Sequence, residues 1–381
     1  MGARVLVVGG GIIGAMLAWR LTLRGHNVTL LERAGPGSAV TGASLACIGT
    51  HMNSRAEIEI LKWTSSAWLE IDQALNHAIE YRKCGQLRFL ERAEDRAIAE
   101  DWLRFEAAAG APSRFLEPPE ARKIEPLLTG PIEAATYAPN AATVTPFLAV
   151  RAIIRDAVSH GLEVVGNTVV SRVEMRGGRV VGVLTAQGKM SGDAVVIAAG
   201  PWTPEIARTA GLDIPIQPRK AQCLATTRAP PSIRCVIAAC ESAGGVAAGY
   251  TQIQQAPSGQ ILFNTVLAGG LSEAGAQEQV PEVDIEFMRN SIGQLLRLFP
   301  SLGGMQLLRS WVRYEAVTPD DRFMAGATTV HGLYLAAGDG GSGFGRSPAV
   351  ARVVADAIDG RQPPFAAELW SPLRFGQKKA A

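Results

Sequence analysis

The sequence lacks a Cys-x-x-Cys pair, and its five cysteines, Cys47, Cys84, Cys223, Cys235 and Cys240, are odd in number. That excludes a patterned disulfide framework and predicts reduced thiols in a cytosolic protein. Five histidines are too scattered to supply metal-ligand spacing, so no metal site is expected. Charge of one sign is also missing: 37 Lys and Arg face 35 Asp and Glu, a net charge of +2. This balance argues against a nucleic-acid binder, whose affinity needs concentrated basic charge. No intrinsic membrane span is expected. The stretch from Val5 to Trp19 is uncharged and follows Arg4, like a signal-peptide core, but it is too short to cross a bilayer and holds four glycines. No small-x-small cleavage signal follows it. Neither an internal repeat nor a low-complexity linker occurs.

What is present is a long, apolar, glycine-rich chain. Its 381 residues imply two domains, or one large domain with an inserted layer. Hydrophobic residues make up 47% and charged residues 19%, which excludes global disorder. The 41 glycines fall in clusters, as they do where backbone must touch a ligand.

The first cluster has the strongest context. Val5 to Val8 is an apolar, β-branched run, followed by Gly9-Gly10-Gly11-Ile12-Ile13-Gly14. Ala15 to Leu23 then has helical spacing, with Gly25 as a C-cap. Asn27 to Leu31 reads as a second strand, ending at Glu32. The order strand, G-x-G-x-x-G, helix, strand, acid is that of a dinucleotide site. Gly9 permits the tight turn, Gly11 the approach of a pyrophosphate, and Gly14 close packing of helix on strand. The helix N-terminus offers N–H groups to the phosphates, and Glu32 accepts from ribose hydroxyls and repels a 2′-phosphate. Arg33 to Ser44 is then a polar loop where a nicotinamide dehydrogenase would enter another helix and strand. Thr41 and Ser44 could wrap the pyrophosphate from the other side. This favours FAD over NAD.

With Thr41–Gly42–Ala43–Ser44 and Gly49 in place, the sequence resembles the D-amino-acid oxidase superfamily of FAD-dependent oxidoreductases. This superfamily includes glycine and sarcosine oxidases and the β subunits of opine, hydroxyproline and proline dehydrogenases. Further segments carry the resemblance. Phe147 to His160 reads as a helix and Leu162 to Val165 as a strand. Thr168, Val169 and Val170 fall where the family holds adenine. Asp193 to Trp202 is a buried strand running into Ala199 and Gly200. Leu333 to Gly338 is another strand, leading into Asp339–Gly340–Gly341–Ser342–Gly343–Phe344–Gly345. Ser347-Pro348 opens the last helix, through about Ile358.

The resemblance implies an α/β fold, α+β overall: a Rossmann-like FAD-binding domain with an inserted antiparallel-sheet substrate domain. The expected boundaries are 1–80, 146–215 and 325–381 for the first, and 81–145 and 216–324 for the second. Alternation predicts strands at Gln86 to Leu90, Gln222 to Thr227, Gly249 to Gln254, Ile261 to Thr265 and Leu307 to Glu315. Ile285 to Phe299 and Ala56 to Ala78 read as helices, the latter burying Ile58, Leu61, Trp68, Leu69 and Leu75. Residues 377–381 read as a frayed tail.

The implied chemistry is oxidation of the C–N bond of a D-amino acid, an imino acid or another secondary amine, such as an opine, by hydride transfer to flavin. Dioxygen or a partner electron-transfer subunit is the acceptor, so a hetero-oligomer is open, with peripheral membrane association through that partner. The alternative is a non-catalytic, FAD-containing relay or assembly subunit. Cofactor contacts are expected at Gly9, Gly11, Ile12, Ile13, Gly14, Glu32, Arg33, Thr41, Ala43, Ser44, Val169, Ala199, Gly200 and Trp202, and from Gly340 through Gly341, Ser342, Gly343 and Phe344 to Gly345. The segment from Arg309 to Asp320 resembles the strand and turn that carry substrate-facing groups. Trp311, Thr318, Pro319 and Asp320 match there, but Glu315 stands where the family places an arginine. Arg313 could replace that carboxylate clamp, and Glu315 could recognise a cationic group; the alternative is a mutual surface ion pair. Tyr250 and His51 are further catalytic candidates. Arg346 either contacts flavin or points to solvent, and Lys220 is read as structural. Some family members attach FAD through Cys or His. Cys47 and His51 are the nearby candidates here, and non-covalent FAD is expected.

Overall fold

The computed structural model describes residues 2–240, 249–267 and 282–376; the expected tail at 377–381 lies outside them. Two large sheets organise the chain. The first has six strands in the order Met324–Ala327, Leu333–Ala337, Ala194–Ile197, Arg4–Val8, Asn27–Leu31 and Glu163–Val165. All neighbours run parallel except Met324–Ala327, which is antiparallel to Leu333–Ala337.

Parallel strands are buried on both faces, so they read as continuous apolar runs. The alternate residues divide accordingly. Val5, Val7, Val28, Leu30 and Val196 pack against helices Ile12–Leu23, Pro146–Ser159 and Gly343–Ile358. Leu6, Val8, Leu31, Val195 and Ile197 pack on the opposite side, with Val173 and Val183 of a three-stranded sheet at residues 170–191. The arrangement is a Rossmann-like layer with its glycine turn at the carboxyl end of the first strand.

The second sheet has eight strands, in the order Leu307–Val317, Gln217–Arg228, Gln260–Leu267, Gly249–Gln255, Val236–Ala239, Gln86–Leu90, Ala134–Ala138 and Arg114–Leu116. Neighbours are antiparallel except Val236–Ala239 with Gln86–Leu90. Side chains alternate across it. Leu87, Phe89, Leu224, Ile237, Ile253 and Phe263 form a core with Leu295, Leu298 and Phe299, at and beyond the end of the helix Ile285–Leu298. Arg88, Cys223, Gln252 and Asn264 occupy the other face.

Two expectations change and one helix is added. The helix read over 56–78 spans Ile58–Ala74, and Leu69 is 45% exposed, because it lies off the stripe that buries Ile58, Leu61 and Trp68. A helix at Asp95–Ala108, which the sequence pattern did not suggest, lies between two strands of the second sheet. The last helix begins at Gly343, not at Ser347-Pro348, and Pro348 lies inside it. A proline there removes the N–H that would bond Phe344 O. Ser347 Oγ donates to that carbonyl instead, at 2.9 Å. Thr64 Oγ1 and Trp68 Nε1 donate to the next carbonyl, Gly345 O, at 3.2 and 2.9 Å. Half of the glycine loop is therefore the first turn of a helix.

Candidate active site

Between the two sheets lies a cavity of about 840 Å³. The glycine turn forms one end. Gly9 has φ +110°, and a Cβ there would lie 2.4 Å from Ala198 O. At Gly14 it would lie 2.0 Å from Gly9 O. These two glycines are required by the protein's own packing. Gly11 differs: its backbone is extended (φ −68°, ψ 177°), and a Cβ would meet only Thr41 Oγ1, at 3.2 Å. The space beside it is cavity.

The donors are held in place locally. Ile12 N–H donates to Thr41 Oγ1 at 3.0 Å, leaving the hydroxyl proton of Thr41 available. Glu32 accepts from Gly10 N–H at 2.6 Å and from Ala34 N–H at 2.8 Å, which fixes its carboxylate at the strand end. The Arg33 guanidinium stacks 3.6 Å from the Trp202 ring centre. Ser44 Oγ accepts from Ala46 N–H at 3.0 Å. A second helix N-terminus, at Gly343, faces the middle of the cavity.

The polar face of the eight-stranded sheet is the floor. Tyr250 O–H donates to Gln252 Oε1, Gln252 Nε2 to Gln254 Oε1 at 3.0 Å, and Gln254 Nε2 to Leu45 O at 2.6 Å. Burial pushes the Tyr250 phenol up, so it stays neutral. Glu315 Oε2 accepts from Arg219 Nε and Nη2 at 3.1 and 2.9 Å, and Arg219 Nη2 also donates to Gly340 O at 2.8 Å. Arg219 and Glu315 are directly opposite in register, the closest arrangement for a cross-strand pair.

A model of the FAD dependent oxidoreductase family matches residues 4–357. The chain belongs to that family. The glycine oxidase of Pseudomonas aeruginosa is 28% identical over 374 residues, 95% of this chain and 96% of that protein. The D-amino acid dehydrogenase of Paramagnetospirillum magneticum is 25% identical over 417 residues, 94% and 95% of the two chains. The crystal structure of L-proline dehydrogenase from P. horikoshii superimposes with a TM-score of 0.89 at 26% identity, covering 98% of each chain.

As a member of the FAD dependent oxidoreductase family, the chain has a cavity whose residues fit that cofactor. The open side of Gly11, the N–H groups at the start of Ile12–Leu23, and Glu32 at the strand end are the donor and acceptor set a dinucleotide needs. Gly9, Gly11, Ile12, Ile13, Glu32, Arg33, Thr41, Ala43 and Ser44 all line the cavity. So do Val169, which is 58% exposed, and Ala199, Gly200 and Trp202. Gly340, Gly341, Ser342, Gly343, Phe344 and Gly345 line its middle. Gly14 is placed behind the turn and serves its packing.

Among the catalytic candidates, Tyr250, Arg313 and Glu315 line the cavity and His51 does not. His51 is buried; its Nδ1 meets Glu106 Oε2 at 2.9 Å and its Nε2 meets Thr136 Oγ1 at 2.8 Å. Glu106 also accepts from Met52 N–H at 2.6 Å, so the pair anchors the segment that leads to Asn53. Burial lowers the pKa of the ring. His51 is thus placed as a buried anchor outside the cavity lining, away from the position expected of a catalytic group. Replacing it by leucine removes the ring from the Glu106 carboxylate, which keeps Met52 N–H and Ser113 Oγ as donors, at a cost of about 2 kcal/mol. We expect a clear fall in the melting temperature of His51→Leu with an unchanged FAD-to-protein ratio; loss of FAD at unchanged stability would contradict this placement.

Glu315 is also corrected. Its partner is Arg219, not Arg313, and with that ion pair made it is not a free receptor for a cationic substrate. Arg346 neither touches solvent freely nor stands unpaired: its Nη2 meets Glu57 Oε2 at 2.6 Å and Asn53 Oδ1 at 2.9 Å, and Trp370 Nε1 donates to Glu57 Oε1 at 2.6 Å. Arg88, Arg219 and Asn264 line the cavity and were not singled out from the sequence. For Arg88, between Leu87 and Phe89, and Asn264, after Phe263, the available signal was alternation with buried apolar neighbours; Arg219 lies between Pro218 and Lys220 and carries no such signal.

Burial, then the neighbouring Glu315 carboxylate, raises Asp339 from 3.8 to about 7. The folded protein therefore keeps a proton that the unfolded chain has lost. The stability this contributes is full below pH 4 and is lost as the pH rises through 7. Asp339→Asn, which keeps an acceptor for Ala316 N–H, should gain stability relative to wild type from pH 4 to pH 8. Urea midpoints across that range measure this; a constant offset would contradict it.

Proposed function

We propose that this chain oxidises the C–N bond of a small amino acid or other amine bound between the glycine turn and the polar face of the eight-stranded sheet. One observation carries the reading. A single cavity joins a dinucleotide turn, a second helix N-terminus and a floor bearing a guanidinium, Arg313, with no carboxylate partner among the described residues. When bound, FAD supplies the acceptor for two electrons and the hydrogen leaving the C–H bond α to nitrogen, and the substrate becomes an imine.

The protein's tasks are positioning and exclusion of water. Arg313 holds a substrate carboxylate. Tyr250, neutral and oriented by Gln252, offers its phenol oxygen beside it. Glu315 orients Arg219 against Gly340 and so steadies the glycine loop. Non-covalent FAD is favoured because burial pushes the Cys47 thiol up to about 12 and His51 is turned away, which removes both nucleophiles. A non-catalytic relay is not favoured, since the relatives are enzymes.

The experiment is anaerobic mixing of the yellow protein with glycine, sarcosine, D-amino acids, proline and iminodicarboxylates, read at the flavin band. Bleaching by an amine supports the reading; no bleaching by any of them refutes it. Readmitted air then assigns the acceptor. Fast reoxidation with peroxide marks an oxidase, and slow reoxidation marks a dehydrogenase that delivers its electrons to a partner subunit.

A further inference from the structure

We propose that Gln252 and Gln254 are positioning residues that fix the polarity of Tyr250. They hold the phenol as a hydrogen-bond acceptor, so the group it receives from a bound substrate is an amine N–H and not a carboxylate or carbonyl oxygen. The inference rests on the amine-oxidation reading above and names the substrate group that the phenol meets.

Alternation puts the three side chains in line. Tyr250, Gln252 and Gln254 project from one face of the strand Gly249–Gln255. The residues between them turn to the other face. Thr251 Oγ1 meets Thr265 Oγ1 at 3.2 Å, and Ile253 enters the apolar core.

The direction of the row is set at its far end. Leu45 O is a backbone carbonyl and can only accept. The Gln254 side-chain atom 2.6 Å from it is therefore the amide nitrogen. That turns Gln254 Oε1 toward Gln252, and this oxygen also only accepts. The Gln252 atom 3.0 Å from it is again nitrogen. Gln252 Oε1 is left facing Tyr250, whose O–H must donate to it. The Leu45–Ala46 peptide is itself held from its other side, since Ala46 N–H donates to Ser44 Oγ at 3.0 Å. Both glutamines are buried, so flipping either amide would set oxygen against oxygen with no water to relieve it.

The phenol has one proton, and it is spent on Gln252. Only lone pairs remain for the cavity that Tyr250 lines. The charges of Arg88 and Glu315, which line the same cavity, are felt at this phenol, and burial keeps it protonated. A lone pair receives an N–H and repels a carboxylate or carbonyl oxygen. A neutral phenol also orients an amine nitrogen without taking its proton.

The test uses the FAD-loaded protein and two flat ligands that cannot be oxidised to an imine. Pyrrole-2-carboxylate presents an N–H beside its carboxylate, and 2-furoate presents an oxygen at the same place. The carboxylate is common to both, so its anchoring cancels in the ratio of affinities measured by calorimetry. Wild type should bind pyrrole-2-carboxylate about 10-fold or more tightly. Gln252→Leu frees the phenol to donate, so 2-furoate should bind more tightly than it does to wild type and the ratio should fall below about 3-fold. Gln254→Leu, which does not touch the phenol, should shift the ratio in the same direction. A merely structural role would weaken both ligands together and could not strengthen one of them. Tyr250→Phe should remove the preference by weakening pyrrole-2-carboxylate alone, and this arm decides the matter if the glutamine variants do not fold. Equal affinities in wild type, no saturable binding of pyrrole-2-carboxylate, or a preference that survives Tyr250→Phe or Gln252→Leu overturns the proposal. Reduction of the wild-type flavin by the amine panel is scored separately. If an amine bleaches the flavin while the N–H preference is absent, amine oxidation stands and the acceptor assignment falls. An N–H preference with no amine bleaching the flavin does the reverse.

Discussion

Gly11→Val should give a folded protein that purifies without FAD. The extended backbone at Gly11 suits any residue, and a Cβ there meets nothing but the Thr41 hydroxyl at 3.2 Å, so the fold tolerates the side chain. The valine methyls instead fill the side from which a pyrophosphate approaches the N–H groups of the helix. The expected loss in FAD affinity is at least about 100-fold, read from the flavin absorbance of the purified protein and from titration with added FAD. Gly14→Ala is the contrast within the same motif. Its Cβ would sit 2.0 Å from Gly9 O, so backbone must move. That change should cost about 2–3 kcal/mol of stability. A yellow Gly11→Val protein would remove the dinucleotide from this end of the cavity.

Arg313→Leu should leave FAD content and melting temperature near wild type and raise the apparent KM for anionic substrates about 30-fold or more. The structural cost is small because Arg313 bonds only the adjacent Val312 O and faces Ala221 across the strand pair. The effect on binding is large because, on the function proposed above, the lost guanidinium holds the substrate carboxylate. Rates of flavin reduction as a function of substrate concentration separate the two. An unchanged KM would place the carboxylate elsewhere on the floor.

Legibility in the sequence followed locality. The glycine turn was readable because its constraints lie within a few residues: Gly9 needs a positive φ, and Gly14 needs room beside Gly9. Strand alternation located most of the second sheet for the same reason. His51 could not be placed, because Glu106 and Thr136 are 55 and 85 residues away and come into reach only when the two segments pack. The partner of Glu315 is 96 residues distant, set by the register of two long strands. With no register in hand, the sequence leaves Glu315 either a cationic substrate group or an ion pair with Arg313, two residues away. The early start of the last helix was hidden by Pro348, which signals a boundary locally but is tolerated because Ser347 takes over the orphaned carbonyl.

The most direct measurement is an absorbance spectrum of the purified protein, followed by anaerobic addition of an amine. A flavin band that survives gel filtration and is bleached by an amino acid or iminodicarboxylate is the predicted result. A colourless protein that takes up no added FAD would contradict the whole assignment.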